Sequence, residues 1–240
     1  LRIIYESILK KRLGFLYLYV DYFVLLTEHM KNSIPIKNIK YTVIEGIFDN
    51  YEIIKEEIKI KNKTKTIFYG GTLAHRYGVL NLVKAFTILK NEDYRLIICG
   101  EGSANDEIRK LAQNDSRIIL KGQIPREEVQ KIISESDLLV NPRTPEGEYT
   151  KYSFPSKTME YLGSGIPTLL YKLDGVPEEY YHYCFSIDEV TIDALSKEIN
   201  RILSMPKSDL MEFGVRARNF ILKNKNPILQ CEKIIKLLNS

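Results

Sequence analysis

Apolar positions along this chain follow two alternating rhythms. From Lys65 onward, the compact apolar runs TIFYGG, RLIICGEG, RIILKG, DLLVNPR and IPTLLY end in or run up to glycine, proline or polar residues. Between them lie GVLNLVKAFTILK, NDEIRKLAQ and PREEVQKIISESD, whose apolar residues recur at helical spacing. Runs that are apolar throughout predict strands buried on both faces, and the alternation predicts a parallel sheet with helices on either side. The expected fold class is therefore α/β, a doubly wound, Rossmann-like domain. Its functional loops should gather at the carboxyl edge of the sheet. After the turn DGVPEE and the short strand YCFSI, the pattern becomes helical through DALSKEINRILS, DLMEFGVRARNFIL and NPILQCEKIIKLL.

Residues 1 to about 62 stand outside this rhythm. They read as a helix, a strand (YFVLLT), a short helix (EHMKNS), another strand (YTVIEG) and the charged run YEIIKEEIKIKNK, a linker with a solvated face. Because the chain opens at Leu1 and not at methionine, it is expected to be a piece of a longer protein.

Composition narrows the picture modestly. With 240 residues, 44% hydrophobic and 28% charged, the chain suits one large or two small soluble domains. A net charge of +4 is too small to argue for nucleic acid, but it suits an anionic small ligand or light contact with an acidic membrane surface. Cys99, Cys184 and Cys231 are odd in number and far apart, with no metal-ligand spacing, so reduced thiols in the cytoplasm are expected. No apolar run reaches the roughly 18 residues of a membrane span. The nearest candidate, LGFLYLYVDYFVLL, is interrupted by Asp21. No cleavable signal peptide is apparent.

The candidate chemistry lies in the loops. YGGTLAHRYG, Tyr69 to Gly78, is a glycine loop between a strand and a helix, where freed backbone N–H groups could meet an anion or simply make a tight turn. His75 and Arg76 favour the anion. Glu101 in CGEGS, and Gln123 and Ile124 in KGQIP, occupy equivalent turns. SFPSKTMEYLGSGIPTLL, Ser153 to Leu170, poses a sharper question, since Lys157 sits in the first turn of a helix, where the dipole disfavours a cation. Ser153 could cap that helix, Pro155 suits its first turn, and Ser156, Lys157 and Thr158 would offer free N–H groups. Glu160 shares a face with Lys157. Either the two form a surface pair, or Lys157 meets a phosphate and Glu160 accepts ribose hydroxyls one turn deeper.

Taken together, YGGTLAHRYGVLNLVKAF, LIICGEG and FPSKTMEYLGSGIPTL resemble the C-terminal, donor-binding half of GT-B glycosyltransferases, most closely the retaining family 4. The last motif is of the variant found in bacterial capsule and exopolysaccharide enzymes. Upstream, VDYFVLLTEHMKN and YTVIEGIFDN resemble the closing segments of the N-terminal domain. The resemblance implies four parts: 1–50 as the end of the N-terminal, acceptor-binding domain, 51–64 as the linker, 65–222 as the nucleotide-sugar-binding domain, and 223–240 as a helix that either packs on this domain or crosses back to the N-terminal one. It implies a UDP-sugar or GDP-sugar donor, no required metal or other cofactor, and a glycan or lipid-linked acceptor. It also implies a cytoplasmic location at the inner face of the plasma membrane. Glu160 matches the ribose-binding glutamate, Gly71 the glycine against the diphosphate, and Ile124 the point where the backbone meets the base. Gly70, Thr72, Ser156 and Thr158 would complete the nucleotide site, with Arg76 and Lys157 stabilising the leaving diphosphate.

There are two departures from the family. Its usual second glutamate is Tyr152 here, with Glu146 and Glu148 nearby. Its usual arginine and lysine in the glycine loop align with Thr72 and Tyr77. A non-catalytic nucleotide-binding regulatory module is the alternative that the first departure favours. An NAD-dependent oxidoreductase is disfavoured, because GxGxxG and the acidic residue at the end of the second strand are absent. Without the other half, the chain is expected to bind donor but transfer no sugar.

Overall fold

The computed structural model describes residues 14–17, 19–34, 38–49 and 64–240. Most of the predicted first helix and the charged run at 51–63 lie outside the described residues.

Two short parallel strands come first, β1 (Tyr22–Leu25) and β2 (Lys40–Val43). The main domain then alternates as the apolar pattern predicts: β3 (Lys65–Gly70), α1 (Val79–Ile88), β4 (Tyr94–Cys99), α2 (Asn105–Gln113), β5 (Ile118–Gly122), α3 (Arg126–Glu135) and β6 (Leu138–Asn141). It continues with α4 (Ser156–Ser164), β7 (Thr168–Tyr171), β8 (Phe185–Ile187), α5 (Ile192–Leu203), α6 (Lys207–Asn224) and α7 (Pro227–Leu238). The six strands β3 to β8 form one sheet in the order β5-β4-β3-β6-β7-β8, with every pairing parallel. The order reverses between β3 and β6. This is the doubly wound sheet expected from the sequence.

Strand side chains alternate between two cores, as period-two geometry requires. On one face, Ile67, Tyr69, Leu138, Val140, Leu169 and Tyr171 pack with α1 and α5. On the other, Phe68 and Leu139 meet Ile132 and Ile133 of α3 and Tyr161 of α4, while Leu170 joins Met159, Leu162, Phe220 and Ile221.

The first segment is fastened to this domain at several points. Phe48 N–H donates to the Lys225 carbonyl at 2.8 Å. Its ring lies so close to α4 that a Cβ on Gly163 would stand 2.3 Å from it. The Thr27 hydroxyl donates to the Lys151 carbonyl at 2.8 Å. At the end of the chain, α7 runs along the small sheet. The Tyr22 hydroxyl donates to the Leu238 carbonyl at 3.4 Å, and Lys40 Nζ to the Ser240 carbonyl at 2.6 Å. The turn into α7 has a local cause, because Asn226 caps it by accepting from Leu229 N–H at 3.0 Å and Pro227 takes the first helical position.

Between the first segment and α6 lies a buried ionic cluster. Lys225 bonds Glu45, both almost wholly buried, and also reaches Glu179 at 2.7 Å. The Tyr180 hydroxyl donates to Glu45 at 3.1 Å. Burial by itself raises the Glu45 carboxyl, but the hydrogen bond and charge of Lys225 outweigh it and hold the group below its ordinary value. With a depressed folded-state pKa, this stabilisation is present above the unfolded value of about 4.3 and lost as pH falls through the lower folded value. Thermal melts should therefore fall on acidification, and Glu45→Gln should flatten that acid limb. The same substitution should cost roughly 3 kcal/mol in denaturant titrations at neutral pH, because Lys225 keeps only the half-exposed Glu179.

Candidate nucleotide-binding crevice

Reversal of strand order between β3 and β6 opens a crevice at their carboxyl ends, the place where open α/β sheets take ligands. The loops around it are bound to one another through backbone. Gly71 N–H donates to the Cys99 carbonyl at 2.8 Å and Leu73 N–H to the Glu101 carbonyl at 2.8 Å, while Ala104 N–H returns a bond to the Leu73 carbonyl at 2.8 Å. Gly100 N–H donates to the Gly122 carbonyl at 2.7 Å. Glycine is required for this closeness. At Gly100, with φ of +127°, a Cβ would stand 1.8 Å from the Gly71 carbonyl oxygen. At Gly78, with φ of +72°, it would stand 1.9 Å from the Pro142 carbonyl oxygen. The loops after β3, β4, β5 and β6 are thus one connected rim.

Lys157 in the first turn of α4 reaches over this rim. Its Cε stands 2.2 Å from where a Gly71 Cβ would be, and its Nζ 3.0 Å. Among the described residues no carboxylate pairs with it, so a Lys157–Glu160 surface pair does not form. Glu160 instead accepts a hydrogen bond from Gln130 Nε2 of α3 at 3.0 Å. The adjacent Tyr161 is fully buried and its hydroxyl accepts from Gly70 N–H at 3.0 Å, which ties α4 to the end of β3. Burial pushes the Tyr161 phenol well above its ordinary range, so it stays neutral.

Two expectations about the start of α4 are corrected. Ser153 does not cap the helix: its hydroxyl donates to the Tyr149 carbonyl at 2.9 Å, and Pro155 occupies the capping position without a side-chain bond. Thr158 N–H is not free either, because the tight first turn gives it the Pro155 carbonyl at 2.8 Å. The Thr158 side chain is buried, with its hydroxyl 3.4 Å from Asn141 Nδ2. Ser156 and Lys157 remain as the N–H groups that have no intrahelical acceptor.

Gly70, Gly71, Lys157 and Glu160 are therefore brought together around Tyr161. Ile124 packs, partly buried, against the cluster that holds Tyr161 and Phe68. Thr72 and Arg76 are exposed. The Thr72 carbonyl accepts the Tyr69 hydroxyl at 3.0 Å. Arg76 lies over the ring of Tyr77 at 4.9 Å, and its carbonyl accepts the Tyr149 hydroxyl at 3.1 Å. His75 turns to Glu107 of α2 at 2.8 Å. Tyr152, Glu146 and Glu148 are all exposed. Sequence reasoning missed Gln130, Tyr161 and Arg143. Arg143 carried a usable signal, a cation immediately after the strand end NP, whereas Gln130 on a polar helix carried none. Among the described residues no group of three histidine, cysteine or acidic side chains gathers in a way that could hold a metal ion.

Comparison with known proteins agrees with this geometry. Residues 50–239 match the family described as glycosyl transferases group 1. Among solved structures, TarM of S. aureus, in complex with fondaparinux, alpha-GlcNAc-glycerol and UDP, superposes with a TM-score of 0.72 at 18% identity, over 92% of this chain and 44% of that one. A glycosyltransferase from Rickettsia africae gives 0.72 at 17% identity, over 95% of this chain and 65% of that one. HepE of Anabaena, in complex with UDP and glucose, gives 0.70 at 13% identity, over 92% and 64%. The chain thus spans less than half of TarM and just under two thirds of the other two. No curated protein matches the chain.

The Tyr161 bond makes the rim testable without a ligand. Tyr161→Phe leaves the Gly70 N–H without its side-chain acceptor and should lower unfolding stability by about 1–3 kcal/mol in denaturant titrations. Gln130→Ala, whose bond is to a partly exposed carboxylate, should cost under about 1 kcal/mol in the same measurement.

Proposed function

The chain belongs to the group 1 glycosyl transferases, and from that premise we propose that the crevice binds a nucleoside-diphosphate sugar whose sugar is moved to a glycan or lipid-linked acceptor. One observation carries the reading: Lys157, without a carboxylate partner among the described residues, lies across Gly71 one helical turn before Glu160. A phosphate and the ribose of one nucleotide are separated by about that distance.

In this reading the diphosphate lies against Gly71, the Lys157 ammonium, and the N–H groups of Ser156 and Lys157 at the positive end of α4. The cost of a cation at a helix N-terminus is then offset by the ligand. The ribose hydroxyls donate to Glu160, which Gln130 holds in place, and the base meets the backbone near Ile124. Transfer breaks the bond between the anomeric carbon and the diphosphate oxygen, and the electron pair leaves with the diphosphate. The acceptor hydroxyl forms the new bond and loses its proton. Lys157 and Arg76 stabilise the charge that develops on the leaving group, an electrostatic effect that is largest where water is excluded. That no metal is required is carried over from the resemblance, as is retention of anomeric configuration.

UDP is the nucleotide bound in the TarM and HepE complexes, and for this chain the donor is either a UDP-sugar or a GDP-sugar. We further propose that the small sheet β1–β2 is the end of an acceptor-binding domain and that α7 crosses back to it, as the bonds from Tyr22 and Lys40 support. Catalysis would need that whole domain, because bringing the two substrates together in reactive geometry supplies up to about 7–11 kcal/mol. The resemblance of the motif variant to capsule and exopolysaccharide enzymes is the ground for proposing a role in such synthesis at the cytoplasmic face of the membrane. Tyr152, in place of the family's second glutamate, favours the second reading, a regulatory module that binds nucleotide irrespective of the sugar.

Two substitutions test the site by calorimetry with UDP, GDP and the corresponding nucleosides. Glu160→Gln should weaken diphosphate and nucleoside binding alike, by about 1.5–3 kcal/mol, because both ligands carry the ribose. Lys157→Ala should weaken diphosphate binding by a similar amount and leave the bare nucleoside unaffected. Equal losses for Lys157→Ala would make the lysine structural. A panel of nucleotide sugars separates the two readings, since an enzyme should discriminate among sugars and a regulatory module should not.

A further inference from the structure

Three lysine or arginine side chains are buried among the described residues: Arg117, Arg143 and Lys225. Two are paired in the usual way. Arg117 forms a two-pronged bond to Asp115, at 2.9 Å and 2.7 Å. Lys225 is held by Glu45 and Glu179. Arg143 is the exception. It is 7% exposed, and no carboxylate pairs with it among the described residues. Its Nη2 donates to the Ser153 hydroxyl at 2.6 Å, and its Nε is buried without a partner. A cation withdrawn from water without a counter-charge is costly, and a buried donor left open adds to that cost.

The location gives this cost a purpose. Arg143 stands two residues beyond β6, and the carbonyl of the preceding Pro142 presses on Gly78, so it belongs to the connected rim. Its guanidinium lies 5.9 Å from the Tyr77 ring centre and 4.8 Å from that of Tyr149. Arg76 lies against the same Tyr77 ring at 4.9 Å. Two guanidinium groups thus converge on one tyrosine, the residue that stands where the resembling family carries a basic side chain. Through Ser153, Arg143 also touches the segment that leads into α4 and Lys157.

We propose that Arg143 binds the diphosphate of the donor, supplying from the β6 loop the positive charge that position 77 of the glycine loop lacks. The inference rests on reading the crevice as a nucleoside-diphosphate site. The planar fork of donors on Arg143 suits phosphate oxygens, and among the described residues only its Nη2 has a hydrogen-bond partner. Arg143 is on this view a binding residue for the leaving group, distinct from Lys157 in the element that carries it. The two tyrosine rings and Ser153 orient the fork while the site is empty.

Calorimetric titration of UDP, GDP, uridine and guanosine into this chain tests the assignment, with Arg143→Met and Arg143→Lys as variants. Arg143→Met should weaken the preferred nucleoside diphosphate at least tenfold, leave the matching nucleoside within twofold, and not lower the melting temperature of the unliganded protein. Arg143→Lys should recover part of the loss. Diphosphate affinity unchanged in a folded methionine variant would overturn the assignment. So would equal losses of diphosphate and nucleoside with a lowered melting temperature, the signature of a brace for Ser153. If the methionine variant does not fold, the lysine variant decides: a diphosphate-only loss of threefold or more supports Arg143 as ligand, and no loss overturns it. Failure of the unaltered chain to bind either diphosphate would instead overturn the reading of the crevice itself.

Discussion

Backbone meets backbone at the carboxyl edge of the sheet, and the rest of the site depends on that contact. Gly100 against the Gly71 carbonyl, and Gly78 against that of Pro142, leave no room for a side chain. Because strand order reverses between β3 and β6, loops from both halves of the sheet converge there. Their mutual hydrogen bonds satisfy groups that would otherwise need water or ligand. The outcome is a rim whose position follows from the sheet, onto which α4 is fastened by the bond between Tyr161 and Gly70.

Electrostatics at this rim contrast with those elsewhere in the molecule. The cluster of Glu45, Glu179, Tyr180 and Lys225 is closed, with each charge answered by another within the protein. It joins the segment that holds Glu45 to the end of α6. At the crevice, Lys157 and Arg143 have no such answer among the described residues. Unanswered charge beside a backbone-lined rim is expected of a site that meets an anion during function. That contrast, more than any single motif, is the basis of the diphosphate site proposed for this member of the group 1 glycosyl transferases.

The segment that holds Gly46 and Phe48 shares a core with the main domain. Phe48 packs on Gly163, and Gly46 lies against Met159, both from α4. The helix that carries Lys157 and Glu160 is therefore pressed from two sides, by the sheet and by the segment that holds Gly46 and Phe48. The geometry of the rim and the attachment of that segment are mechanically related through one helix.

The alternation of apolar strands and amphipathic helices was legible in the sequence by itself, because full burial on both faces demands strands without polar positions. So were the glycine turns, and so was the oddity of Lys157, because a cation in the first turn of a helix conflicts with its dipole. Glu160 and Lys157 were named together from spacing alone. Tertiary structure decided the remainder. Whether Lys157 paired with Glu160 or lay over Gly71 depended on where β3 ended relative to α4. Thr158 lost its expected N–H to a tight first turn, and Ser153 turned away from the helix toward Tyr149 and Arg143. Gln130 and Arg143 come from elements outside the motif, and only the packing of α3 and the β6 loop brings them to it. Local pattern specifies which residues are strand, helix or turn. Which charges remain unanswered is a property of the assembled neighbours, and no periodicity records it.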